Sequence, residues 1–114
     1  MSLRSSSAPA ARRNHAPIFA ALGDETRLLL VAKLCDGQRR SISDLASGTK
    51  VTRQAITKHL RVLENAGLVR SVRAGRESLY AFEPRPMRAL QSYLDQVARQ
   101  WDDALGRLKA FVEA

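Results

Sequence analysis

Two helix-start signals separated by a glycine turn lie in residues 41–67, SISDLASGTKVTRQAITKHLRVLENAG. Ser41 and Asp44 have the spacing of a capping box, which predicts a short helix that begins at this point and stops at Gly48. Thr52 can cap a second helix, which is predicted to run to the end of the stretch. Because so few residues join the two helices, the pattern predicts a helix-turn-helix.

Two more helices are predicted upstream of this stretch. Pro17 suits the first turn of a short helix that runs to Leu22, and Asp24 can cap another that ends near Gly37. In the latter helix, four residues recur at i, i+3, i+4 and i+7: Leu28, Val31, Ala32 and Cys35. This spacing predicts an apolar stripe and places Cys35 in the core.

The pattern changes after Gly67, where two short segments rich in β-branched and aromatic residues follow at 68–73 and 78–82. The residues Ala74-Gly75-Arg76-Glu77 join them, which predicts a β-hairpin. Two prolines, Pro84 and Pro86, are expected to close this hairpin.

A long helix is predicted from about Met87 to Val112, because its apolar residues step by four and three alternately. A domain of this size cannot cover the whole stripe, so we expect a partner helix to cover it. The predicted dimer interface consists of Leu90, Leu94, Val97, Trp101, Leu105 and Leu108.

The net charge of +8 arises from 19 Lys and Arg residues against 11 Asp and Glu residues, and it is concentrated in one region. Residues 50–76 contain seven of those cations and a single acidic residue, Glu64. Such a patch is typical of proteins that bind a polyanion, and DNA, RNA or anionic lipid would each satisfy it.

The second helix of the helix-turn-helix is predicted to be amphipathic. Ile56, Leu60 and Leu63 share one face, which would pack against the preceding helices. The opposite face has the polar residues Arg53, Gln54, Thr57, Lys58 and Arg61. Arg can pair with guanine and Gln with adenine in the major groove, while Lys58 and Arg61 also suit phosphates.

The hairpin tip adds Arg73 and Arg76 on either side of a glycine. A tip of this kind can lie along a duplex backbone or enter a minor groove, whose negative potential attracts Arg. The predicted fold class is therefore mainly α, a winged helix-turn-helix with a two-stranded β-hairpin wing and a long C-terminal helix.

One domain is expected for the 114 residues. Residues 1–15 are basic and without apolar periodicity, which predicts a disordered N-terminal arm. Residues 16–86 are predicted to form the DNA-binding core, and residues 87–114 a C-terminal dimerisation helix packed on the same domain.

Two motifs resemble a known family. They are Ala21-Leu22-Gly23-Asp24-Glu25-Thr26-Arg27, and Thr57-Lys58-His59-Leu60 followed by Leu63 and Ala66-Gly67-Leu68-Val69. From Ala20 to Phe82 the chain thereby resembles the ArsR family of bacterial winged-helix transcriptional repressors. The resemblance implies a homodimer that binds double-stranded DNA at an inverted repeat near its own promoter and dissociates when an effector arrives.

By the same resemblance, Arg53, Gln54, Thr57 and Lys58 occupy base-facing positions, and the first and last helices form the dimer contact. The metal sensors of the family have Cys-x-Cys before the turn, where this chain has Ser41-Ile42-Ser43, and hydroxyls are poor ligands for soft metals. The family's second metal site uses His on the terminal helix, but no His follows His59. We expect no metal site and no cofactor, and the small-molecule inducer is not identified by the sequence.

Other functions are less well supported by the residues. No apolar stretch is longer than the five residues from Leu28 to Ala32, which is far short of the roughly 20 residues that span a bilayer, so no membrane partner is expected. A single cysteine fits the reducing cytoplasm, which is the expected location. Two histidines and one cysteine allow few catalytic arrangements, so we expect no enzyme. His59 is expected to pack or to form a structural hydrogen bond.

Two alternatives stay open. A thiol- or redox-responsive regulator would use Cys35, although a core position would make the thiol inert. A basic RNA-binding module is the other alternative. RNA modules usually have stacking aromatic residues, and the basic region offers only Tyr80 and Phe82.

Overall fold

The computed structural model describes the backbone of residues 3–113 and the side chains of residues 12–113. A small antiparallel sheet and the helices around it form a winged helix-turn-helix, which confirms the predicted fold class. The elements are α1 (Leu3–Leu22), α2 (Glu25–Leu34), β1 (Arg40–Ser41), α3 (Ile42–Ala46), α4 (Arg53–Asn65), β2 (Val69–Ala74), β3 (Glu77–Phe82) and α5 (Pro84–Glu113).

The helix starts are set by the three predicted caps. The Asp24 carboxylate accepts a hydrogen bond from the Arg27 backbone N–H, and the Thr52 hydroxyl oxygen accepts one from Ala55. Ser41 and Asp44 form the predicted capping box in both directions. Each cap satisfies backbone N–H groups that have no partner inside the helix, and together they fix where α2, α3 and α4 begin.

The wing is the predicted hairpin, with one additional strand. Strands β2 and β3 are antiparallel, and the pair Ala74 and Glu77 encloses a two-residue turn. Gly75 has φ 62° in that turn, a conformation that favours glycine. Strand β1 pairs with the other side of β3, so the sheet has three strands in the order β1-β3-β2. The sequence analysis missed β1 because two residues are too short for a periodic signal.

The core confirms the predicted face of α4 and corrects the predicted face of α2. The residues Leu30, Leu34, Leu45, Ile56, Leu60, Leu63 and Leu68 are fully buried. On α2 the buried residues are Leu30, Val31 and Leu34, whereas Leu28 is 52% exposed and Cys35 is exposed. The core assignment of Cys35 was therefore wrong. Four consecutive apolar residues at 28–31 fit more than one helical phase, and Cys35 is the C-cap, where the chain leaves the helix.

The N-terminal segment also differs from its prediction. Helix α1 begins at Leu3, whereas a disordered arm was expected over 1–15 and a helix only from Pro17. The segment is rich in Ala and Arg, which have high helix propensity and favour helix without an apolar stripe. Residues 1 and 2 of the predicted arm lie outside the described part of the chain. Helix α5 likewise begins at Pro84, since proline is favoured in the first turn of a helix.

Helix α5 extends well beyond the rest of the domain. Its 30 residues correspond to about 45 Å, and the longest dimension of the molecule is 65 Å. The radius of gyration is 18.7 Å, compared with the roughly 13 Å typical of a compact chain of this length. The far part of α5 therefore has little contact with its own domain.

Candidate nucleic-acid interface

The orientation of α4 is fixed by its buried face. Ile56, Leu60 and Leu63 are each fully buried, and they hold this face against the core. The opposite face consequently points outward along the whole helix. The predicted DNA-contacting residues Arg53, Gln54, Lys58 and Arg61 are all exposed on it, and Thr57 is half-buried.

The hydroxyl of Thr57 is already engaged within α4. Its Oγ1 donates a hydrogen bond to the Arg53 carbonyl at 2.9 Å. The proton of this hydroxyl is therefore committed to the helix backbone, and Thr57 presents its methyl group and an acceptor oxygen instead. A threonine methyl group suits apolar contact with the methyl group of thymine.

The wing places the remaining predicted cations beside α4. Arg73 and Arg76 are both exposed, and among the described residues the one hydrogen bond of the Arg73 side chain is a long one of 3.4 Å to the Gly75 carbonyl. Arg76 lines a cavity of about 210 Å³ that Arg53 also lines. The sequence places Arg53 on the second helix of the helix-turn-helix and Arg76 on the hairpin tip, and in the structure both residues line this one cavity.

Lys33 of α2 makes hydrogen bonds to the end of α3, a role that the sequence pattern did not predict. Its Nζ donates to the Leu45 and Ser47 carbonyls, both at 3.0 Å, at the end of α3. These carbonyls have no hydrogen-bond donor inside the helix. The ammonium group of Lys33 supplies that donor, and its positive charge interacts favourably with the negative end of the helix dipole. The partners are 12 and 14 residues away, so no local spacing could have indicated them.

Arg27 links α4 to the end of α1, a role that the sequence analysis also missed. Its guanidinium donates to the carbonyls of Ala20 and Ala21, which end α1, and to Nδ1 of His59 at 3.3 Å. His59 lies on α4, where the sequence analysis expected packing or a structural hydrogen bond, and this contact is such a bond. The contact ties α4 to the α1–α2 junction.

Asp24 completes this cluster. Its Oδ2 lies 3.7 Å from His59 Nδ1 and accepts a hydrogen bond of 3.0 Å from the Arg27 backbone N–H. That hydrogen bond is the main reason that the pKa of Asp24 is lowered from 3.8, while partial burial opposes it and the Arg27 charge adds to it.

Ser41, which stands at one position of the Cys-x-Cys motif of the family's metal sensors, has a structural role in this chain. Ser41 Oγ accepts the capping hydrogen bond from the Asp44 backbone N–H at 3.1 Å. Across the described residues, no group of three or more His, Cys, Asp and Glu side chains could hold a metal ion.

A second surface, the exposed apolar stripe of α5, consists of residues predicted for the dimer interface. Leu94, Trp101, Leu105 and Leu108 are 45%, 65%, 55% and 58% exposed in the single chain. Val97 is half-buried. Leu90 was assigned to the same interface, but only 4% of it is exposed because it packs in the core of its own domain.

The comparisons with known proteins agree with this arrangement. The family model described as "Bacterial regulatory protein, arsR family" matches residues 24–71, which extend from the α2 cap into β2. An uncharacterised HTH-type transcriptional regulator, YuzN of Bacillus subtilis, is 40% identical over 83 residues, which are 68% of this chain and 90% of that protein. This chain belongs to the ArsR family. It is a DNA-binding regulatory protein of that family.

Other relatives support the family at the level of sequence and of structure. The HTH-type transcriptional repressor SmtB of Mycobacterium tuberculosis is 31% identical over 88 residues, covering 77% of this chain and 63% of that protein. An ArsR-like transcriptional regulator from Rhodococcus sp. RHA1 superposes with a TM-score of 0.79 at 37% identity, covering 91% of this chain and 94% of that one. No described helix of this ArsR-family protein is both long and apolar enough to cross a membrane.

Proposed function

We propose that this ArsR-family protein is a homodimeric transcriptional repressor that binds an inverted-repeat DNA sequence through α4. The observation that supports this most is the division of α4 into a fully buried apolar face and an exposed polar face with three cations. Repression is proposed from the family and from the similarity to SmtB, which is named a repressor.

The exposed face of α4 has the chemistry for base recognition. The amide of Gln54 can pair with adenine, the methyl group of Thr57 can contact thymine, and Lys58 can donate to guanine. Arg61, farther along α4, and Arg73, on the wing, are suited to backbone phosphates. Arg53 is the first residue of α4 and contacts DNA beside the wing.

The proposed operator has two half-sites, and this favours a dimer. Two recognition helices must reach major grooves one turn apart, about 34–36 Å, and a single chain has only one such helix. The exposed apolar stripe of α5 provides a surface for this pairing, together with α1, whose His15 and Phe19 rings lie in tilted contact with Tyr93 of α5 in the same chain, at centroid distances of 4.8 and 6.2 Å. A symmetric dimer in turn requires an inverted-repeat operator.

Base-substituted operator variants test the role of α4. Gln54→Ala should cost about 1–3 kcal/mol on the parental operator and should lose discrimination at one base pair of each half-site. Gln38→Ala is the matched control, because Gln38 is exposed but lies outside the helix-turn-helix. Unchanged discrimination by Gln54→Ala, together with unchanged discrimination by Lys58→Ala, would contradict base recognition by α4.

The wing is tested by the salt dependence of binding. Arg73→Ala should weaken binding to all sequences to a similar degree. It should also reduce the slope of log K against log salt by about 0.9 for each phosphate contact that is lost. A loss confined to one operator sequence, with the slope unchanged, would instead indicate that Arg73 contacts a base.

A thiol-responsive regulator is the second candidate function, because Cys35 is exposed and not buried as expected. An accessible thiol can be oxidised. Cys35 is the C-cap of α2, and α2 packs against α4. Peroxide should then release operator DNA from the parent protein but not from Cys35→Ser. An equal response in both proteins would exclude this role.

A further inference from the structure

The cavity that Arg53 and Arg76 share lies between the start of α3, the start of α4 and the turn of the wing. Besides the two arginines, its lining includes the hydroxyl residues Ser41, Ser43 and Ser78 and one carboxylate residue, Glu77. Its volume of about 210 Å³ is sufficient for a small polyatomic ion and its first waters. Its polar groups come from three different elements of the fold.

The two guanidinium groups are available for a ligand. Among the described residues, neither Arg53 nor Arg76 forms a side-chain hydrogen bond or an ion pair. Other arginines of the same domain do, since Arg40 pairs with Asp36 and Arg70 with Glu83. Two cations that line one cavity repel each other, and the single carboxylate of Glu77 offsets only one of the two charges, so a bound anion would lower that cost further.

The hydroxyl groups complete a donor set for an oxyanion. Ser41 Oγ accepts its capping hydrogen bond, so its own proton is still free to be donated. Ser43 and Ser78 add two further hydroxyl donors. Planar guanidinium groups and hydroxyls are the donors that phosphate oxygens prefer, and Arg binds phosphate in a bidentate manner.

The net charge of the cavity is the value that a phosphodiester neutralises. Two arginines and Glu77 give a net charge of +1. A phosphodiester has a charge of −1, so the filled cavity would be neutral. Free phosphate at neutral pH is closer to −2 and would leave a net negative charge beside Glu77.

We propose that this cavity binds one phosphate oxyanion through Arg53 and Arg76 together, and that in the complex this oxyanion is a backbone phosphodiester of the operator. The assignment of the DNA phosphate rests on the proposed function, whereas the oxyanion site does not. A phosphate held from both sides would fix the angle between α4 and the wing on the DNA strand. Arg53 then contacts the backbone, in place of the base contact that its sequence position predicted.

The DNA phosphate is tested with operators in which one backbone phosphate at a time is replaced by a neutral methylphosphonate. One position in each half-site should weaken binding of the parent protein about 10- to 100-fold. That same position should have no further effect in Arg53→Ala and in Arg76→Ala. Arg73→Ala is the matched control, because it removes an exposed wing arginine that does not line the cavity; it should bind DNA more weakly overall but keep the parental sensitivity at that position.

Free oxyanions are tested without DNA, so this result is independent of the proposed function. Dimethyl phosphate and inorganic phosphate are titrated into isotope-labelled protein, and the amide signals of residues 76–78 are followed by NMR. Dimethyl phosphate should shift these signals in a saturable manner in the parent and in Arg73→Ala, but not in Arg53→Ala. Glu77→Gln should strengthen the binding of inorganic phosphate.

The outcomes separate the two sources of the oxyanion. If Arg53→Ala and Arg76→Ala abolish the effect of the same methylphosphonate, the DNA phosphate is supported. If only the free oxyanions respond, the cavity is an oxyanion site filled from solution, and the DNA assignment is wrong. If the two variants abolish the effects of different positions, or of none, and neither oxyanion shifts the cavity signals, the proposal is overturned.

Discussion

Replacing Trp101 with alanine should weaken the dimer without destabilising the protomer. Trp101 is 65% exposed in the single chain, so most of its indole surface is free to contact a partner. A tryptophan buries roughly 200 Å² when fully packed, so about 130 Å² would be buried in the interface. At about 25 cal/mol per Å² this corresponds to roughly 3 kcal/mol for each indole.

A symmetric dimer loses both indoles at once. One indole alone corresponds to a change of about 100-fold in the dissociation constant, so the dissociation constant of Trp101→Ala should rise by at least this factor over that of the parent. Sedimentation velocity over a dilution series measures this directly. Operator affinity should fall in parallel, because the energy of dimerisation must then be supplied by DNA binding.

Leu90 provides a matched control on the same helix. It is 4% exposed and packs in the core of its own domain, so Leu90→Ala should lower the free energy of unfolding by about 2–5 kcal/mol. This loss should persist in the Trp101→Ala background, where dimerisation is weakened. If Trp101→Ala keeps the parental dissociation constant, the stripe of α5 does not face a second copy, and the inverted-repeat operator inferred from the dimer is also wrong.

Three further predictions concern the domain itself. Gly75→Ala should keep the fold but lower the free energy of unfolding by about 1 kcal/mol in urea, because φ is 62° although a Cβ would meet no atom within 4 Å; an unchanged urea midpoint would contradict this. The pKa of Asp24 is lowered in the folded state, so the ionised carboxylate stabilises the fold above its ordinary pKa of 3.8, and this stabilisation is lost as pH falls through the lower folded-state pKa. The thermal midpoint of the parent should therefore fall more steeply below about pH 4 than that of Asp24→Asn; parallel curves would exclude the contribution. Zinc, cadmium and arsenite should not release DNA through Ser41 and Ser43 in fluorescence anisotropy, and a release abolished by Ser41→Ala would show that hydroxyls suffice.

The helix-turn-helix was predictable because its signals are local. Asp24, Ser41 and Thr52 each cap a helix through an atom three residues away, so the sequence pattern contains the whole interaction. The buried face of α4 was equally predictable, since Ile56, Leu60 and Leu63 recur at i, i+4 and i+7, and of the residues between them only Val62, which is 40% exposed, is also apolar.

Long-range contacts were not predictable from spacing. Lys33 reaches carbonyls beyond the end of its own helix, and Arg27 contacts a histidine 32 residues away. The cavity between Arg53 and Arg76 arises in the same way, because the wing folds back beside the start of α4. These contacts depend on how the helices are packed, and the packing is fixed by the core rather than by residues near each contact.

Helix α5 shows a further limit of sequence patterns. Its apolar residues continue in one stripe from Leu90 to Val112, yet Leu90 is buried and Leu94, one turn later, is 45% exposed. The change occurs because Phe82 and Met87 still pack against the core near the start of α5, whereas the helix then extends past the domain. An apolar stripe therefore identifies the face of a helix that will be buried. How far the rest of the domain extends along that helix decides which part of the stripe is buried within the same chain. Beyond Leu94, the stripe of α5 exposes a large apolar surface, and such surfaces on soluble proteins usually mark an interaction site. This exposure, rather than the spacing of the apolar residues, supports a second copy of the chain as the partner of α5.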